Sequence, residues 1–279
     1  MPVMVMTIRP LSVLLVATAL ALSACSGTTA PSSASPSAAA ATPIQVGTDP
    51  EDCSQGAPCH CTFDSPCEFA AGTYATFGKW AFLPGLTMTI PDGWRSTEQD
   101  AGEFNLLKTD YGQGALFFWR DMVPVDMDGK HRADFPSTPE SLTHWFFTNP
   151  DLIVTRPESV ILGHGIAATT FTFATAPGAF NPNQDPDCPD YPAGAAVCFP
   201  LITDPVHWGG SWDIASAHAT RLYLASIGPA ASPHLLLVAV LGTIEAPSTE
   251  TDRFVELERI EAGVQPILDS LDVSTVTFN

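Results

Sequence analysis

Four cysteines lie close together near the start of this 279-residue chain, and their pairing restricts any fold that contains them. The run DCSQGAPCHCTFDSPCE, residues 52–68, spaces them as C-x5-C-x-C-x5-C and places His60 between the middle two. Thiolates at this spacing either hold a soft metal ion or close into two disulfides. The redox compartment decides between these outcomes, because disulfides persist mainly outside the cytoplasm.

The amino terminus predicts export and a lipid anchor. Arg9 precedes an apolar run, residues 11–22, that is shorter than the roughly 20 residues a membrane-spanning helix needs. The run leads into LSAC, residues 22–25, which resembles the lipobox of bacterial lipoproteins. In that family, cleavage occurs just before the cysteine and a lipid is attached to its thiol. We expect residues 1–24 to be a lipoprotein signal peptide. We also expect Cys25 to carry the lipid, with palmitate among its acyl chains. The alternative is an ordinary signal peptide followed by an incidental cysteine.

The segment that begins at this cysteine is expected to be a tether. Residues 25–50 are rich in Ser, Thr, Ala and Pro and show no periodic apolar face, so they cannot bury a core. We expect a disordered linker that holds a folded domain off the outer face of the bacterial cell membrane.

The net charge narrows the range of partners. A formal net charge of -19 excludes the basic footprint of a nucleic-acid-binding domain. An anionic membrane surface repels such a chain, so the lipid must do the anchoring. We therefore expect a membrane-anchored chain whose partner is an unknown protein or small ligand, and not a nucleic acid.

An exported location favours disulfides for the six cysteines that follow the lipidation site. A Cys59–Cys61 bond is cramped, because the two residues are two positions apart. Two pairings stay open: Cys53–Cys59 with Cys61–Cys67, or Cys53–Cys61 with Cys59–Cys67. Farther along, the turn-rich stretch PDYPAGAAV is flanked by two more cysteines that we expect to pair, Cys188 and Cys198.

Two stretches offer metal ligands, but neither predicts a site that we favour. Cys59, His60 and Cys61 can supply soft ligands to copper or zinc. The loop NPNQDPDCPD, residues 181–190, places oxygen ligands for calcium at alternate positions (Asn181, Asn183, Asp185 and Asp187). It lacks the Gly and the bidentate Glu of an EF-hand, so we interpret it as a solvated acidic loop. We therefore predict no metal and no cofactor.

Strand patterns dominate the remainder of the chain. GLTMTIPDGW, residues 85–94, alternates apolar and polar side chains before a turn, and further strand patterns follow at GEFNLLKT, GALFFWRDM, LIVT, SVIL and AATTFTFATA. ATRLYLASI and HLLLVAVLG predict a hairpin whose second strand is central, since it is apolar on both faces. Gly163-His164-Gly165 predicts a hairpin turn.

Two segments predict helices. Residues 139–148 follow Ser137, which stands three residues before Glu140 in a capping-box spacing. Residues 250–271 carry one apolar stripe, with Thr249 or Thr251 as the cap and a bend at Pro266. Strands joined by short turns and covered by two helices predict a mostly antiparallel α+β domain. We place this single domain at residues 73–279, after a cysteine-rich segment at 51–72.

The motifs GTYATFGKWAFLPGLTMTIPDGW, WRDM, WFFTNPDLIV, RLYLASI and PILDSLDV resemble a family of uncharacterised exported actinobacterial proteins. The resemblance runs from Gly72 to Val273 and implies no known reaction. The Pro-x-Gly-Trp turn and the final helix also resemble PsbP-like domains. That second resemblance implies an antiparallel sheet sandwiched between helices and concerns the fold alone.

No motif in the sequence predicts a reaction. GHGIAA is followed by a strand pattern where a nucleotide fingerprint needs a helix, and GGSWD breaks the G-x-S-x-G pattern. The seven histidines form no ligand pair of the H-E-x-x-H kind. We therefore interpret the chain as a non-catalytic binding domain, with no catalytic residue predicted. An exported hydrolase assembled by folding and a metal-handling lipoprotein are the alternatives. VHWGGSWD, residues 206–213, is the stretch that we expect to form an exposed aromatic loop.

Overall fold

The structure is a computed structural model that describes residues 42–47, 61–62, 64–78, 81–97, 101–108, 115–125, 131–132, 134–177, 179, 198–206, 212–215, 219–242 and 250–278. Several sequence predictions concern other positions. The predicted signal peptide, Cys25, Cys53, Cys59, His60, the loop at 181–190 with Cys188, and residues 207–211 lie outside the described residues.

Strands make up most of the described chain. In chain order they are β1 (Ile44–Gly47), β2 (Cys67–Phe69), β3 (Gly72–Phe77), β4 (Thr87–Ile90), β5 (Trp94–Ser96), β6 (Glu103–Lys108), β7 (Ala115–Arg120), β8 (Val123–Pro124), β9 (Leu152–Val154), β10 (Glu158–Leu162), β11 (Ile166–Thr175), β12 (Cys198–Thr203), β13 (Trp212–Ala215), β14 (Ala219–Ile227) and β15 (His234–Gly242). Two helices, α1 (Pro139–Thr148) and α2 (Glu250–Leu268), complete the described elements.

A large antiparallel sheet organises these elements. Its strand order is β10-β11-β14-β15-β7-β6-β5-β2, and β9 pairs with β11 beside β10. Two smaller sheets have the orders β1-β3-β4 and β13-β12-β8, and β1 pairs with β3 in parallel. The prediction of a mostly antiparallel α+β domain with two helices is confirmed.

Strand β15 lies at the centre of the large sheet, between β14 and β7, as its apolar sequence predicts. Leu236, Val238 and Val240 belong to a core cluster that includes the buried face of α2. The alternate side chains of the strand, Leu235 and Leu237 among them, belong to a second cluster that includes α1. Because successive strand side chains point to opposite faces, the two helices cover opposite faces of the sheet.

Helix α1 has the predicted bounds, but its cap differs from the predicted one. Thr138 is the N-cap residue, and its hydroxyl accepts a 3.2 Å hydrogen bond from the Ser141 amide. Ser137, the predicted capping residue, instead donates its hydroxyl to the Met122 carbonyl. The capping-box prediction is therefore wrong by one residue, because Ser137 joins the helix start to the segment after β7.

Helix α2 buries the stripe that its sequence predicts. Leu257, Ile260, Val264 and Ile267 are fully buried against the sheet. Pro266 lies inside the helix, two residues before its end. Neither of the two predicted cap threonines has a described side chain.

Within the described residues, no helix has the length and apolar character required to cross a membrane.

The amino-terminal part of the described chain contains one disulfide and an early strand. Cys61 and Cys67 are joined by an S–S bond of 2.03 Å. One of the two pairings left open by the sequence contains this bond. Its other predicted bond, Cys53–Cys59, lies outside the described residues. Residues 44–47 of the predicted tether form β1, whose Val46 is buried against the α2-side core.

Candidate functional site at the edge of the sheet

Few residues of the predicted chemical sites have described side chains. The sulfur of Cys61 is bonded to Cys67, so it is not a free thiolate for the metal site considered with Cys59 and His60. The side chain of Cys198, at the start of β12, is not described. In the described part of the chain, no group of three or more His, Cys, Asp or Glu side chains is placed to hold a metal ion.

The expected aromatic loop at 206–213 is exposed only in part. Val206 is 75% exposed, whereas Trp212 is 7% exposed and packs against Trp119 at a ring-centroid distance of 4.8 Å. The prediction of an exposed Trp212 is wrong, because this residue begins β13 and faces the core cluster around α1. Trp94, another aromatic residue near a turn, is also buried.

One histidine lies against a carboxylate. His234 Nδ1 is 2.7 Å from Asp121 Oδ2, and the imidazole stacks on the ring of Phe278 with centroids 5.0 Å apart. The other carboxylate oxygen of Asp121 accepts the Leu235 amide at 2.8 Å. Asp121 has a positive φ of 53°, and its own amide donates to the Leu235 carbonyl. This carboxylate therefore fixes the junction between the end of β7 and the start of β15.

The described residues place no nucleophile beside the Asp121–His234 pair. Within the described residues, no hydroxyl or thiol is hydrogen-bonded to His234, and neither of the grooves described below includes it. A nucleophilic mechanism needs such a group within about 3 Å of the imidazole. The contacts that the described residues show for the pair are those that join β7 to β15.

An open groove of about 560 Å³, here called the edge groove, lies where β10 forms the edge of the large sheet. Its floor consists of side chains on β11 and β14, and the start of α1 forms one wall. The lining residues are Pro139, Glu140, Ser159, Val160, Ile161, Ala167, Ala168, Thr169, Leu224 and Ser226. The volume lies in the range of ligand sites, about 300–1,000 Å³.

The edge groove exists because α1 covers only part of its face of the sheet. The helix packs its buried residues, Leu142 and Phe146, over Phe171 and Phe173 of β11. The earlier residues of β11 on the same face, Ala167 and Thr169, are too small to fill the space beside the helix start. Because these side chains are small and α1 does not extend over them, this part of the sheet face stays open.

Ile161 is the most exposed apolar side chain of the edge groove. It is 66% exposed, although it lies in the middle of a regular strand pairing between β10 and β11. Its neighbours in the strand, Val160 and Leu162, turn to the opposite face and pack against the α2-side core. A single exposed apolar residue is common on protein surfaces, but Ile161 also lines a groove on an edge strand, where a partner can cover it.

A second open groove, of about 780 Å³, lies between β1, β3 and the segment that follows α2. Phe77, which is 46% exposed, and Gln45 lie on the strand side, and Thr275 and Thr277 lie on the other. Thr277 also hydrogen-bonds the carbonyl of Pro84 through its amide. This groove separates the small amino-terminal sheet from the carboxyl-terminal segment.

The residues of the edge groove were missed by the sequence analysis. SVIL was correctly predicted as a strand, but a strand pattern does not show whether the strand lies at an edge. The signal that could have located it is the Pro157-Glu158 pair before SVIL, since Pro and charged residues concentrate on edge strands.

The chain was also compared with known proteins. A scan of protein-family models finds no match, and no curated protein matches the sequence significantly.

Proposed function

We propose that this chain is a lipid-anchored binding domain on the outer face of a bacterial cell membrane, and that the edge groove holds its ligand without chemistry. The anchor and the location are supported by the leader and by the LSAC stretch that ends at Cys25. The binding role is supported by the groove and by the lack of any motif for a reaction. The PsbP-like relationship belongs to the same proposal, and it is supported by an antiparallel sheet with one helix on each face.

The observation that carries the binding role is the exposure of Ile161 on the wall of an open groove. Burying an isoleucine side chain from water contributes about 1.5–3 kcal/mol. A partner that covers Ile161, which is 66% exposed, gains up to this free energy. Val255, on the exposed side of α2, is 60% exposed and lies outside both grooves, so it provides a matched comparison.

Carbene footprinting of the protein in intact cell envelopes and after purification tests this role. We expect Ile161 to be labelled like Val255 in the purified protein and at least about threefold less than Val255 in envelopes, because an occupant excludes the reagent. Equal labelling of the two residues in both samples would show that the groove is empty in the envelope and would remove the support for a binding site there.

The exported hydrolase is a second candidate, and the Asp121–His234 contact is the observation that favours it. Hydrolysis of p-nitrophenyl esters by the full chain and by His234→Ala decides between the two. The binding proposal expects the two proteins to match the uncatalysed rate. Turnover by the parent chain that is lost in His234→Ala would favour the hydrolase.

A further inference from the structure

We infer that the occupant of the edge groove is an extended, basic segment of another protein, which adds to β10 as a new strand of the large sheet. This inference rests on the proposed binding function and names the class of ligand. It has three independent supports: the open backbone edge of β10, the side chains that it presents, and the charge around it.

The first support is the backbone of β10. This strand is the last in the order of the large sheet, and within the described residues its outer edge has no strand partner. Alternate residues of an edge strand direct their N–H and C=O groups away from the sheet, where a further strand can bind them. The pairing of β10 with β11 is regular from Glu158 to Leu162, without a bulge that would twist the edge away.

The edge carries little of the protection that sheet proteins normally place there. Pro157 and Glu158 disfavour strand addition at the beginning of β10, but the next residues are Ser159, Val160 and Ile161. Lysine side chains and inward-pointing charges, which commonly prevent strand addition, do not occur between Ser159 and Leu162. The middle of the strand is therefore open to pairing.

The second support is the position of the side chains. Ser159 and Ile161 point to the face that carries the edge groove, while Val160 points to the α2 face. A strand added about 4.8 Å from β10 would place alternate side chains beside Ile161, at the open side of the groove. Backbone hydrogen bonds and one row of side-chain contacts then form together.

The third support is charge. Glu140 is the only ionisable residue among the described residues that line the groove, and it is exposed at the start of α1. Glu158, which has the strand parity of Val160 and so lies on the opposite face, and Arg156, which precedes Pro157, are both outside the groove lining. With a formal net charge of -19, a second copy of this chain would be repelled. Glu140 and the net charge of the chain favour a basic strand.

A seven-residue peptide in which lysine and valine alternate, acetylated and amidated at its ends, provides the probe. Its binding to the full chain, purified in a neutral detergent, is measured by calorimetry and by deuterium exchange of the β10 amides. We expect the peptide to bind and to slow exchange at residues 159–161 at least about tenfold. Methylating the backbone nitrogen of the central valine should raise Kd about tenfold, because it removes a ladder hydrogen bond. The same peptide with glutamate in place of lysine should bind more weakly still.

Ile161→Lys and its matched control Val255→Lys connect the binding to the groove. We expect Kd to rise at least about tenfold in Ile161→Lys and to stay unchanged in Val255→Lys. Thermal unfolding of both variants shows whether they fold, and the methylated peptide tests the parent chain even if one of them does not.

Four outcomes would overturn the inference. The methylated and unmethylated peptides could bind equally well, the glutamate peptide could bind as tightly as the lysine peptide, or the parent chain could form a dimer that Ile161→Lys dissolves. The last result would identify a second copy as the occupant. Protection of Ile161 in envelopes without binding of the lysine peptide would leave the binding function standing and reject the basic strand.

Discussion

Tyr223 donates its hydroxyl to Glu261 Oε1 across a distance of 2.9 Å, and this bond joins strand β14 to helix α2. Arg221, on the same face of β14, holds the same oxygen at 2.7 Å and donates its Nε–H to Thr172 on β11. The Glu261 carboxylate thus connects the helix to β14 directly and to β11 through Arg221. Burial, together with the nearby Glu261 carboxylate, raises the pKa of Tyr223 well above its ordinary value of 10.0.

Tyr223→Phe should lower the free energy of unfolding by about 1 kcal/mol at pH 7, the usual net contribution of a buried hydrogen bond. Urea denaturation measures this change. The substitution keeps the ring in the core and leaves Arg221 bound to Glu261. A loss above about 3 kcal/mol would therefore show that the hydroxyl makes a further stabilising interaction besides the bond to Glu261.

The pH dependence of stability should also depend on Tyr223. Its pKa is raised in the folded state, so its contribution is complete below pH 10 and is lost as the pH rises above 10, where only the unfolded chain releases the proton. We expect the unfolding free energy of the parent chain to fall more steeply above pH 10 than that of Tyr223→Phe. Parallel curves for the two proteins would contradict the raised pKa.

Gly163 should tolerate substitution less well than Gly165 in the same turn. Both have a positive φ, 42° and 92°, but a Cβ on Gly163 would clash with the carbonyl of Leu271, whereas a Cβ on Gly165 would meet no atom within 4 Å. We expect Gly165→Ala to cost about 1–2 kcal/mol of stability from backbone strain alone, and Gly163→Ala at least about 1 kcal/mol more.

The difference in unfolding free energy between these two variants, measured in denaturant, reports the contact between the turn and the segment after α2. Backbone strain is present in both variants, so it contributes little to the difference. Leu271 also accepts the His164 amide at 2.9 Å, so the clash cannot be relieved without loss of that bond. Equal losses in the two variants would show that the segment after α2 moves freely away from the turn.

Much of the fold follows from the sequence because local patterns determine it. The alternation in SVIL and in HLLLVAVLG predicts strands, and the stripe that includes Ile260 and Val264 predicts a helix face. The strands at β12 and β13 were not predicted, since their short sequences are flanked by turn residues. β1 was assigned to a tether because IQVG has too few residues to show a period.

The edge groove was less accessible to prediction for a physical reason. It arises beside the start of α1, where the helix leaves the sheet uncovered, and along β10, which has a strand partner on one side only among the described strands. Both facts depend on the order of strands from distant parts of the chain, which local sequence does not encode. The exposed Ile161 has the same sequence pattern as a buried strand residue, and only the assembled sheet distinguishes the two.

The Cys61–Cys67 bond should stabilise the start of the domain. Its partners are six positions apart, and a loop of that length restricts the unfolded chain by about 2 kcal/mol in the entropic treatment. Replacing both cysteines by alanine should lower the unfolding free energy by about that amount, as measured in guanidinium.

Thiol alkylation followed by intact mass analysis extends this test to the other cysteines. We expect all six cysteines after Cys25 to resist alkylation until the protein is reduced. Replacing Cys188 and Cys198 together should leave the remaining four protected. Free thiols at Cys61 and Cys67 in the native protein would contradict the disulfide, and a retained metal mass would favour the metal-handling alternative.

Cys25→Ala should release the protein from the membrane fraction. Two or more acyl chains make membrane attachment stable, so removing their attachment site should shift the protein to the soluble fraction at least about tenfold. Immunoblots of fractionated cells measure the shift, and Ser26→Ala, which keeps the cysteine, provides the control. Retention of Cys25→Ala in the membrane fraction would show that another element anchors the chain.

The contacts of residues 272–278 set an order for the completion of folding. Thr275 donates its hydroxyl to the carbonyl of Gly85 at 2.8 Å across 190 positions, and Asp272 pairs with Thr87. Because a ribosome makes the amino-terminal strands first, β3 and β4 are synthesised long before residues 272–278, which bind to them. Under the proposed export in an unfolded state, β3 and β4 would gain these contacts only after residues 272–278 have also crossed the membrane.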